Sequence, residues 1–290
     1  MSTIPAPRAA APPAESPARW RAALDGLLGR VSAPSVPVEL LATIAGRFAR
    51  EDIAMGDYRR GGLLQWCEGV ALVSAHRASF ADHWDRHNET VLTGDGPLWV
   101  VLGDSAAQGL GASHPGGGYV SLARAELERR TGAPWRVLNL SRSGATITDV
   151  LRDQLPRLDA LPVTPDLVSC GVGVNDLFRY TLPKIQSLFR TLVHALPDGA
   201  VMLDMPLPVN RWRIGRVAAP YVARANTGIY GPAAARRLPV AYVSRHFAPP
   251  WAGKFGPDDF HPNEAGYRLW SRALLEAIPW VDARSLPRAA

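Results

Sequence analysis

From Trp99 onward short apolar runs alternate with longer amphipathic stretches, and this alternation constrains the fold more than any other feature. Trp99–Leu102, Trp135–Leu140, Asp166–Cys170, Ala200–Met205 and Val240–Val243 have the length of strands. They lack the every-other-residue polarity of a strand with one wet face, so each is expected to be covered on both sides. Between them, apolar spacing predicts helices at Tyr119–Arg130, Thr148–Leu158, Pro183–Leu196 and Glu264–Ile278. A further helix falls within Pro220–Arg237, its limits blurred by Gly228 and Gly231. Strands alternating with helices through right-handed crossovers give an α/β fold. The expected form is a flavodoxin-like three-layer α/β/α sandwich around a five-stranded parallel sheet, with ligands bound at the carboxyl ends of the strands.

The residues before this region read differently. Residues 1–17 are rich in Ala and Pro and are expected to be disordered. Helical spacing follows at 18–30, at 38–50 and from about 60 to 90, the last carrying Leu63, Trp66, Cys67, Val70 and Val73 on one face. The chain therefore divides into a disordered start (1–17), a helical extension (18–95) and an α/β domain (96–290). The extension is read as packing across that domain rather than as a lid or a dimerisation surface.

Bulk composition narrows the function classes. The net charge is +6, but lysine occurs only at Lys184 and Lys254, and the arginines are scattered. That distribution lacks the basic stripe a duplex requires, so no nucleic-acid partner is expected. The Arg-rich, Lys-poor, Ala- and Pro-rich usage suggests a GC-rich bacterial genome. Pro5, Pro7, Pro12 and Pro13 interrupt any apolar stretch of the roughly 7–15 residues a secretory signal needs. No run approaches the ~18 apolar residues of a membrane span. Cys67 and Cys170 form no Cys-x-x-Cys pair and are read as buried thiols. The expected location is the cytoplasm.

Four polar blocks fall where this fold places a site. They are Gly103-Asp104-Ser105-Ala106-Ala107-Gln108-Gly109 after the first strand and Asn139-Leu140-Ser141-Arg142-Ser143-Gly144-Ala145-Thr146 after the second. Gly173-Val174-Asn175-Asp176 follows the third strand, and Asp258-Asp259-Phe260-His261-Pro262-Asn263 precedes the last helix. Singly, each has an ordinary explanation in turn glycines and helix caps. Together and in this order they carry a resemblance. The chain from about Trp99 to Ile278 resembles the SGNH hydrolase superfamily, the GDSL-type esterases and lipases. The four blocks correspond to its Gly-Asp-Ser, loop Gly, Gly-x-Asn-Asp and Asp-x-x-His signatures. Ala106 stands where the name-giving motif has Leu.

The resemblance implies carboxylic-ester hydrolysis with Ser105 as nucleophile, His261 as general base and Asp258 as the residue orienting the imidazole. The residue types suit that chemistry. Acyl transfer needs an activated hydroxyl and N–H donors aimed at a developing oxyanion. The backbone N–H groups of Ser105 and Gly144 and the side-chain amide of Asn175 are the expected oxyanion hole. An imidazole at position 261 suits proton shuttling, since it can both accept and donate a proton. Asp259 is the competing assignment to Asp258, and the family spacing favours Asp258. Asp104 and Asp176 are expected to hold their loops through backbone hydrogen bonds.

Other signals are weaker. Gly-x-Ser-x-Gly, a dinucleotide fingerprint and a P-loop are all missing from the sequence. His83 and His87, with His76 earlier, have metal-ligand spacing but no evident third ligand, so no metal and no cofactor are expected. Trp66 and Trp84 are read as core anchors. Pro206–Pro220 is either a solvated loop or a flap that sets Trp212 against the substrate. The expected partner is a small-molecule ester with a small or medium acyl group. The same residues would serve an acyltransferase or a thioesterase, and a non-catalytic binding protein on the same scaffold is the alternative from another class.

Overall fold

The computed structural model describes residues 62–207 and 212–279. The expected disorder of 1–17, the helical spacing at 18–30 and 38–50, and the side chains of Trp66, Cys67 and Trp212 lie outside the described residues.

Helix α1 (Gly62–Val91) leads into β1 (Leu98–Gly103), the short α2 (Ser105–Gln108), α3 (Tyr119–Thr131) and β2 (Arg136–Asn139). A composite helix follows: α4 (Ile147–Asp149), a π segment (Val150–Gln154) and α5 (Leu155–Asp159). Then come β3 (Leu167–Gly171), a 3-10 turn (Val174–Phe178), α6 (Leu182–Ala195) and β4 (Val201–Leu203). Helix α7 (Trp212–Arg236), β5 (Val240–Ala241), α8 (Val243–His246) and α9 (Glu264–Ala277) complete the order. The sheet is fully parallel with order β2-β1-β3-β4-β5, as the apolar runs predict. Val100 of β1 pairs with Leu138 of β2 on one side and Val168 of β3 on the other.

All six residues of β1 are buried, because successive side chains enter opposite layers. Val100 and Leu102 pack with Leu138, Cys170 and Met202 and with residues of α6 and α7. Trp99 and Val101 pack on the other face with Val137, Leu203 and residues of α3 and α9. The Trp99 indole N–H, which a purely apolar layer would strand, donates to Ser169 Oγ at 2.9 Å.

Three side-chain amides continue the sheet where its strands give way to loops. Asn88 exchanges two hydrogen bonds with the backbone of Asn139, Gln154 with that of Gly103, and Asn226 with that of Met205. Each carboxamide stands in for a neighbouring strand, so backbone groups at the site end of the sheet are not left unsatisfied.

Two expectations need correction. The stretch expected to be a loop to Pro220 is helical from Trp212 onward, and α7 contains both Pro220 and Pro232. Its breakers are overridden by packing: at Gly228 a Cβ would stand 2.8 Å from Gln186 Cα, so the glycine is what brings α7 down onto α6. The helix expected at Thr148–Leu158 is interrupted by the π segment. Pro156 has no N–H to return to the preceding turn, which accounts for the changed winding there.

Candidate active site

Ser105 is the first residue of α2, immediately beyond β1. Asp104 caps this short helix, its Oδ1 accepting from the Ala106 N–H at 3.0 Å, and the Ser105 side chain is thereby held at the sheet's carboxyl edge. Ser105 Oγ lies 2.9 Å from His261 Nε2. His261 Nδ1 lies 2.6 Å from Asp258 Oδ2. A carboxylate only accepts, so the Nδ1 position carries the proton and Nε2 presents its lone pair to the hydroxyl. Asp258 also shapes its own turn, its Oδ1 accepting from the N–H groups of Phe260 and His261. Asp259 adopts a left-handed backbone (φ 55°) in the middle of that turn, and it is Asp258 that meets the imidazole.

Two loops must approach closely for this contact to form. At Gly111 a Cβ would lie 2.5 Å from His261 Cβ and 2.5 Å from Pro262 O, and its φ of 99° also favours glycine. The residues around His261 are fixed at their other end by Asn263. It caps α9 through Gly266 N–H and donates to the carbonyls of Gly253 and Phe255.

Gly144, in the loop after β2, adopts a left-handed backbone with φ 79°. Among the described residues, its N–H and that of Ser105 donate to no backbone carbonyl. Asn175 is the second residue of the 3-10 turn after β3, and its side-chain amide donates one hydrogen to Ala145 O at 2.9 Å. The second amide hydrogen remains for another acceptor. Asp176 is fully buried and accepts from the Ile147 N–H, which ties this turn to the start of α4. Burial pushes the Asp176 carboxyl up to about 7 and that of Asp104 up to about 6, opposed in each case by the backbone N–H it accepts.

Ser105, His261 and Asn175 line a cavity of about 560 Å3, counting space open to solvent. Val172, Leu203, Met205, Leu207, Phe247 and Phe255 supply apolar walls. Phe260, which also lines the cavity, packs edge-on against the His261 ring, and Phe178, 58% exposed, packs against Phe260.

The structure thus brings Ser105, His261 and Asp258 into one hydrogen-bonded chain and places Asn175 on the same cavity. Gly144 is not among the residues lining that cavity, and Trp212 begins α7 with its side chain not described. The sequence reading passed over Gln108, Asn139, Phe178 and Phe260. Gln108, Asn139 and Phe260 sit inside three of the four blocks, which is the signal that could have found them, whereas Phe178 lies outside them. Among the described residues no group of three His, Cys, Asp or Glu side chains could hold a metal. His83 and His87 instead pack edge-on against Trp84 between them, and Trp84 is buried as expected of a core anchor. No described helix is long and apolar enough to cross a membrane.

The sequence model of the GDSL-like Lipase/Acylhydrolase family matches residues 101–269, more than half of the chain. No curated protein matches. Among solved structures, that of TesA is similar at 23% identity and a TM-score of 0.53, covering 63% of this chain and 99% of its own. LAE5, an alpha/beta hydrolase from the metagenome of Lake Arreo, Spain, is 21% identical with a TM-score of 0.51, covering 66% of this chain and 98% of its own. A catalytic mutant of Axe2, an acetylxylan esterase from Geobacillus stearothermophilus, is also 21% identical with a TM-score of 0.51, covering 64% of this chain and 95% of its own. At these identities the likeness is one of fold.

Proposed function

Because the chain belongs to the GDSL-like lipase/acylhydrolase family and is a carboxylic ester hydrolase of that type, we propose that it cleaves esters of a small or medium acyl group through an acyl-enzyme on Ser105. The observation that carries this reading is the chain of hydrogen bonds from Ser105 Oγ through His261 to Asp258. Ser105 Oγ attacks the ester carbonyl carbon while His261 Nε2 takes its proton. The carbonyl π electrons move to oxygen. The backbone N–H groups of Ser105 and Gly144 and the Asn175 amide receive that negative charge, each donor worth about 3–4 kcal/mol in the transition state. Asp258 stabilises the imidazolium and keeps its proton on Nδ1. Collapse of the tetrahedral species breaks the bond to the alcohol oxygen, which leaves with the proton from His261. Water then repeats the sequence on the acyl-enzyme, releasing the acid and restoring Ser105.

The apolar cavity beside Ser105 supports an apolar acyl group as its occupant. Domain boundaries at 17/18 and 95/96 complete the proposal, with residues 96–290 as the hydrolase domain. A series of p-nitrophenyl esters from acetate to palmitate tests it. The reading expects turnover that peaks at short or medium chains and is abolished by Ser105→Ala in a folded protein. Hydrolysis surviving that substitution contradicts it, and a peak at palmitate contradicts the acyl-size assignment.

A further inference from the structure

Helix α1 precedes the segment that the family model matches, yet it touches the site loops in turn. Gly69 lies against the Pro257 carbonyl, directly before Asp258, so closely that a Cβ there would stand 2.0 Å from the oxygen. Two turns on, the Arg77 guanidinium stands beside Gly144, with Nη2 3.6 Å from where a Cβ would be. The Trp84 indole N–H then donates to the carbonyl of Gln108 at 3.0 Å, and Asn88 pairs with the backbone of Asn139. Positions 77, 84 and 88 recur at helical spacing, so one face of α1 presents all three.

Gln108 is the junction of these contacts. It is the last residue of α2, three positions after Ser105, and it is buried. Its Nε2 donates to Ser141 O at 3.2 Å, and its Oε1 accepts from Ser143 Oγ at 2.6 Å. Ser143 is the neighbour of Gly144. The carboxamide therefore ties the helix that carries the Ser105 N–H to the loop that carries the Gly144 N–H. A second tie runs parallel to it: Asn139 Nδ2 donates to Ala107 O, while its Oδ1 accepts from Ser141 N–H and Oγ.

We infer that Gln108 is a positioning residue that sets the spacing of the two backbone oxyanion donors, and that α1 holds it in place through Trp84. This rests on the oxyanion roles proposed above for Ser105 and Gly144. Fixed donors are effective because they need not reorganise as charge develops. Displacing one of them by about 1 Å costs on the order of 100-fold in rate. Release of the clip should therefore act on the transition state more than on substrate binding.

The test uses the full chain and p-nitrophenyl butyrate, with active sites counted by a fluorophosphonate probe. Gln108→Leu keeps the size of the side chain and removes both bonds. Per labelled site, kcat is expected to fall about 10- to 100-fold, with KM changed less than about twofold. Trp84→Phe should lower kcat by a smaller factor. The double variant should be no slower than Gln108→Leu, because Trp84 acts through Gln108. Should Gln108→Leu fail to fold, Ser143→Ala reads the same link, and Ser143→Thr, which keeps the hydroxyl, should return most of the lost kcat. A per-site kcat within twofold of wild type, with the loss confined to thermal stability or to the fraction of labelled sites, overturns the inference. If the wild-type protein neither labels nor hydrolyses the ester, the parent reading fails and this inference with it.

Discussion

Asp258 and His261 are three residues apart in one turn, and the same carboxylate that meets the imidazole at 2.6 Å also accepts the His261 backbone N–H at 3.0 Å. Side chain and main chain of His261 are thus fixed by a single partner. An Asn at 258 could retain the backbone bond through its oxygen while its NH2 faces Nδ1, favouring the wrong tautomer. Asp258→Asn is expected to lower kcat by about 10^4-fold with little loss of stability. Steady-state kinetics and a melting curve on one preparation check this. A loss of less than tenfold would contradict the role given to Asp258.

Asn175 has one amide hydrogen committed to Ala145 O and one to spare. Asn175→Ala should reduce kcat about 10^2- to 10^3-fold while KM changes little, since the spare donor meets an oxyanion rather than a ground-state carbonyl. A change confined to KM would remove Asn175 from the oxyanion hole.

The buried carboxyls give the fold a pH dependence of definite sign. Asp176 and Asp104 are raised to about 7 and about 6, so across pH 4 to 7 the folded chain holds protons that the unfolded chain has released. Stability from these groups is therefore fullest in acid and is lost as pH rises towards the raised values. Asp176→Asn removes one such group and keeps an acceptor for the Ile147 N–H. Its melting temperature minus that of wild type should become more positive between pH 5 and pH 8. A difference that does not vary with pH would show that Asp176 folds with its ordinary affinity for protons.

Gly69 offers a test of how α1 is seated. An Ala in place of Gly within a helix ordinarily stabilises by about 0.5–1 kcal/mol. Here the added methyl would meet the Pro257 carbonyl, so Gly69→Ala should instead destabilise by about 1–3 kcal/mol. Chemical denaturation measures it, and a stabilised variant would mean that the helix does not rest on that turn.

The sheet and the four site blocks were legible in the sequence because both are local signals. Unbroken apolar runs such as Trp99–Leu102 report burial on both faces, and blocks such as Asp258 to His261 keep their partners within a few residues. What escaped was set by distant chain segments. Gln108 reads as an ordinary polar residue until Ser141, Ser143 and Trp84 are brought to it from loops and a helix elsewhere. Helix α7 was placed too late because Pro220, Gly228, Gly231 and Pro232 are breakers by local propensity, whereas packing on α6 favours glycine at 228. The aromatic pair Phe178 and Phe260 meets only once the loops after β3 and before α9 converge.

The central claim is that the hydroxyl of Ser105 is a nucleophile activated by His261. Reaction of the folded protein with a fluorophosphonate, followed by mass spectrometry of the labelled peptide, tests it most directly. The account predicts one adduct per chain, located on Ser105, formed rapidly in wild type and at least 100-fold more slowly in His261→Ala. Labelling at another residue, or at a rate indifferent to the loss of the imidazole, would contradict it.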